Sequence, residues 1–86
     1  MNISDIVNDY HEFKDYGILT EMSRDYQIKD HQTGKIFWVT KKEWYEDIMQ
    51  WILDDLNDSD VMLGSNYSTY ARMYTQLSIL EEALHE

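Results

Sequence analysis

The sequence predicts a single small α+β domain, in the order α-β-β-α-α, with an antiparallel hairpin packed against helices. Three observations predict it. Hydrophobic residues recur with helical spacing at both ends of the chain, and a stretch of alternating pattern is followed by a β-branched, aromatic run in between. The 86 residues include no proline and three glycines, Gly17, Gly34 and Gly64, each placed where the hydrophobic period changes. With 43% hydrophobic and 14% aromatic residues, the chain is too apolar for a disordered acidic segment, and its length suits one domain over residues 1–86.

The first element is a helix over about residues 4–15, because Ile3, Ile6, Val7, Tyr10 and Phe13 fall on one helical face. Ser4 is its expected N-cap and Gly17 its expected stop. From Ile18 to Ile28 the pattern alternates, with Thr20, Met22, Tyr26 and Ile28 on one side, which reads as one long strand or two short ones. Asp30-His31-Gln32-Thr33-Gly34 supplies turn residues before the strand Lys35-Ile36-Phe37-Trp38-Val39. Thr40-Lys41-Lys42-Glu43 has the form of a capping box and starts a helix running to about Leu56. That helix is expected to bury Trp44, Ile48, Trp51, Ile52 and Leu56. After a polar loop from Asp58 to Asn66, Tyr70, Met73, Leu77, Leu80 and Leu84 form a seam expected to pack on the second helix within a monomer.

Charge narrows the function classes. The net charge is −10, and it is uneven: residues 1–43 carry eight Asp/Glu against six Lys/Arg, whereas residues 44–86 carry nine against Arg72 alone. Such a field repels nucleic acid and anionic membrane and steers the chain toward basic protein surfaces. Direct nucleic-acid binding and membrane association are therefore not expected. No apolar run approaches the roughly 20 residues that cross a bilayer, and no basic-then-apolar leader opens the chain, so the expected compartment is the cytoplasm.

Signatures of catalysis are missing. His11, His31 and His85 sit in different elements, without metal-ligand spacing and without any cysteine, and are expected on the surface. No phosphate-binding glycine loop or nucleophile motif occurs. A calcium loop beginning at Asp55 fails because Asp60 stands where glycine is needed and Asn66 where glutamate is needed. Neighbouring acids such as Asp54-Asp55 point about 100° apart on a helix and do not converge on one atom. The expectation is a non-enzyme with no metal and no cofactor.

The acids have a helical order of their own. Asp5, Asp9 and Glu12 lie opposite the apolar face of the first helix. Glu43, Asp47, Asp54 and Asp58 form a stripe on the second, with Asp55 and Asp60 beside it. Members of the stripe lie roughly 6 to 10 Å apart at about 1.5 Å per residue, a spacing of the order of that between backbone phosphates. A solvated helix face would interleave lysines at i, i+4, yet only Arg72 follows Lys42. These nine acids are the candidate partner-binding residues, suited to mimic DNA in a basic cleft. The rival reading is an adaptor whose working surface is apolar, using Tyr67, Tyr70 and Tyr74 of the last helix.

The opening Met1-Asn2-Ile3-Ser4-Asp5-Ile6-Val7 resembles the start of a small Cas-nuclease-inhibiting anti-CRISPR protein of phage origin. The likeness is confined to these residues, and no acidic motif of that family aligns with the rest of the chain. It implies a small acidic protein with a helix, strands and two helices, acting as a phage-encoded inhibitor of a nucleic-acid enzyme. DNA mimics that inhibit restriction enzymes or uracil-DNA glycosylase are equally compatible with the acidic stripes.

Overall fold

The computed structural model describes residues 1–57 and 67–85. They form α1 (Ile3–Lys14), β1 (Tyr16–Glu21), β2 (Asp25–Asp30), β3 (Ile36–Thr40), α2 (Lys41–Asn57) and α3 (Tyr67–Leu84). The class is α+β as expected, and the alternating stretch is two strands. The sheet is therefore an antiparallel meander of order β1-β2-β3 rather than a lone hairpin. Met22 N–H donates to the Asp25 carbonyl at 2.9 Å and closes the turn that divides the stretch.

Two boundaries of α1 differ from expectation. Its N-cap is Asn2, not Ser4: the Asn2 side chain accepts from Asp5 N–H at 3.0 Å while the Asp5 carboxylate accepts from Asn2 N–H at 3.1 Å, a reciprocal capping box. The helix stops at Asp15, whose φ of 60° and ψ of 49° are left-handed, a conformation aspartate tolerates better than most residues. Gly17 instead lies inside β1, where a Cβ would come within 2.6 Å of the exposed His31 ring.

The sheet's register follows from its turns. The β2–β3 turn is built on Asp30, whose carboxylate accepts from Gln32 and Thr33 N–H, with Gly34 at φ 75°. Register then sets Ile28 between Ile18 and Phe37, and Gln27 between Thr20 and Trp38. A bulge at Leu19 puts two β1 steps against one of β2.

The helices cover one face of this sheet. Ile6 of α1, Ile28 of β2, Ile48 and Ile52 of α2 and Leu80 of α3 are almost wholly enclosed, each worth about 1.5–3 kcal/mol of apolar burial. α3 packs chiefly on α2: Leu80 is enclosed in the core, Met73, Leu77 and Leu84 are partly buried against it, and Tyr70 is half-buried. Trp51 and Leu56 are only partly buried, at the margin of the α2 face.

An aromatic cluster ties α1, the sheet and α2 together. The Trp44 ring meets Tyr16 at 5.4 Å, Tyr10 at 5.5 Å, and His11 and Phe37 at 5.8 Å between centroids. His11 departs from the expected surface position: it is 6% exposed, and its Nε2 accepts from Trp44 Nε1–H at 2.8 Å. Phe13 departs the other way, 64% exposed and packed on Trp51 at 5.1 Å. The two residues lie on opposite margins of the α1 face, and Trp44 covers the margin that holds His11.

Candidate partner-binding surface

The acids of α1 are largely engaged in holding the fold. Asp5 is half of the N-terminal capping box. Asp9 accepts from Arg72 at 2.6 Å and from Gln76 at 3.5 Å, so the lone basic residue of the C-terminal half is used on α1. Glu12 is exposed and makes no ion pair among the described residues.

The α2 acids are arranged differently. Thr40 Oγ accepts from Glu43 N–H at 3.1 Å and fixes the start of the helix, whose 17 residues make a rod of about 25 Å. Trp44, Ile48 and Ile52 anchor its inner side. Its outer side presents Glu43, Glu46, Asp47 and Asp54, all exposed and none in an ion pair among the described residues. Glu46 was missing from the sequence-derived set, although its place three residues after Glu43 puts it on the same strip. Asp54 accepts from Gln50 Nε2 at 2.9 Å, which steadies its carboxylate. Asp47 lies near enough to Tyr10 to add, after burial and Tyr16, to the forces that push that phenol up to about 12. Asp55 is half-buried and stands off the row, while Asp58 and Asp60 lie outside the described residues.

Positive charge collects elsewhere. A cleft of about 760 Å³ between the β1–β2 turn, the start of α2 and the ends of α1 and α3, lined by Ile3, Arg24, Asp25, Lys41, Lys42 and Ala83, gathers three of the seven basic residues. Lys41 is tied there to Glu21 at 3.2 Å and lies 5.1 Å from the Tyr26 ring centre. The molecule is thus polarised: from that corner the exposed carboxylates Glu43, Glu46, Asp47 and Asp54, in no ion pair among the described residues, run down α2.

Burial lowers the His11 pKa to about 4, and because Nε2 is the acceptor for Trp44, the proton of the neutral ring sits on Nδ1. Among the tyrosines of α3, Tyr74 is 61% exposed and Tyr70 is half-buried; the side chain of Tyr67 lies outside the described residues. No described helix is long and apolar enough to cross a membrane, and no three metal-ligating side chains converge among the described residues. Comparison with protein-family models, with curated proteins and with solved structures returns no match.

Proposed function

We propose that this chain is a non-enzymatic inhibitor, phage-encoded and working in the host cytoplasm, that occupies the basic nucleic-acid-binding cleft of a host defence or DNA-processing enzyme. The observation that carries the reading is the exposed row Glu43, Glu46, Asp47 and Asp54, on a helix anchored from behind and engaged in no ion pair among the described residues. A row of carboxylates on an anchored helix loses little backbone freedom on docking, so its charge supports fast, salt-sensitive association with Arg/Lys-rich clefts. The phage origin rests on the resemblance of residues 1–7 to an anti-CRISPR protein.

The test is displacement of labelled duplex DNA from a panel of Cas nucleases and restriction endonucleases, at low and high salt. One member of the panel should release its DNA to the parent protein, and the triple variant Glu43→Lys, Asp47→Lys, Asp54→Lys should fail to displace it. Equal displacement by parent and triple variant would sink the proposal.

A second reading is an adaptor that binds through the apolar surface of α3, favoured by the exposure of Tyr74. It predicts a salt-insensitive complex that survives the triple reversal and is lost with Tyr74→Ala.

A further inference from the structure

The meander has helices on one face and none described on the other. On that open face the edge strand β3 turns out Ile36, 51% exposed, and Trp38, 56% exposed. An indole held in water on an edge strand is a poor use of the largest apolar side chain unless something covers it. Trp38 does not stand alone. It lines a depression of about 280 Å³ with Asp25, Val39, Thr40 and Glu43, where the end of β3 passes into the first turn of α2. Glu43 is also the first carboxylate of the exposed row.

We propose that this depression is a notch for one arginine side chain of the basic partner, its guanidinium stacked on Trp38 and paired with Glu43 and Asp25. The inference rests on the reading of α2 as the face that meets a basic cleft, and it names the contact that begins the interface. Three properties of the notch select arginine. A guanidinium is planar and weakly hydrated, so it can lie on an indole face, and its fork of donors reaches carboxylates at the rim. A lysine ammonium is strongly hydrated and carries no plane to stack. An apolar occupant would strip water from two carboxylates and return nothing. A nucleobase could stack on Trp38, but its phosphate would meet the carboxylates of Asp25 and Glu43 at the rim. A second copy of the chain is a poor source: its net charge is also −10, and of its two arginines Arg72 is held by Asp9.

The notch can be tested without knowing the target. Hexa-arginine and hexa-lysine peptides are titrated into the ¹⁵N-labelled full chain, with the Trp38 indole N–H as the reporter. Hexa-arginine should shift that resonance and bind about two- to fivefold tighter than hexa-lysine. Trp38→Ala should abolish the preference while leaving the lysine peptide's affinity unchanged, Trp38→Phe should keep part of it, and Glu43→Gln should weaken the arginine peptide. Equal affinities, an unmoved indole resonance, or a preference that survives Trp38→Ala would overturn the notch. The outcomes separate from those of DNA displacement. An arginine-selective notch without displacement fails the inhibitor reading alone, whereas displacement without arginine selectivity fails the notch alone.

Discussion

The two sides of α2 are built on opposite principles. Its inner side carries Trp44 into a ring of aromatic partners drawn from α1, β1 and β3. Its outer side carries carboxylates with few partners in the chain. The inner side is fixed by contacts that exclude water, so its geometry depends on shape. The outer side makes no ion pair among the described residues and is held chiefly through the backbone, so its geometry is inherited from the inner side. That division gives a direct way to break the comparison: damage inside should cost stability, and damage outside should cost recognition.

The largest effect belongs to Trp44. Trp44→Ala removes the hub of the cluster and the donor to His11, and should destabilise the fold by about 3–5 kcal/mol in urea unfolding. Trp51→Ala should cost clearly less, because Trp51 is only partly buried. Equal losses for the two would mean that the inner side is centred differently.

The second effect is a pH dependence. The unfolded chain protonates His11 near its ordinary value of 6.5, whereas the folded chain does so only near 4, where Nε2 must give up the Trp44 bond. Between those values the unfolded state holds the extra proton, so stability falls as pH drops from about 6.5 to about 4, by up to about 3.5 kcal/mol from this group. His11→Gln supplies an acceptor that does not titrate and should flatten that window in pH-dependent unfolding. An unchanged slope would place His11 in water.

Legibility in the sequence divides along the same line. The Thr40 start of α2, the Asp30-to-Gly34 turn, and the burial of Ile48 and Ile52 follow from local spacing, and the structure keeps them. The burial of His11 depends on Trp44, 33 residues away, and the loss of Asp9 to Arg72 depends on a partner 63 residues away. Neither distance leaves a local periodic signal. Phe13 and His11 flank one helical face about equally, so only the docking of α2 decides which is covered. Glu46 is legible locally as well, since it stands three residues after Glu43 on the same helical strip.

The smallest effect sharpens the comparison most. On the outer side, stability should respond only to the helix's own field, and the sign should change along α2. Glu43 sits in the first turn, where the unpaired backbone N–H groups favour negative charge, so Glu43→Lys should lose about 0.3–1 kcal/mol. Asp54 lies in the last turn of a helix that ends at Asn57 with no basic residue there. Reversing it puts a cation at the negative end of the helix dipole, so Asp54→Lys should gain a few tenths of a kcal/mol, less what is lost with the Gln50 contact. Both changes should nevertheless weaken capture of a basic partner, and both stability effects should shrink in 1 M salt, where screening acts over about 3 Å. Urea midpoints for the two single variants at low and high salt measure this. If Asp54→Lys instead loses more than about 1 kcal/mol regardless of salt, the outer carboxylates belong to the fold, and the separation between the two sides of α2 does not hold.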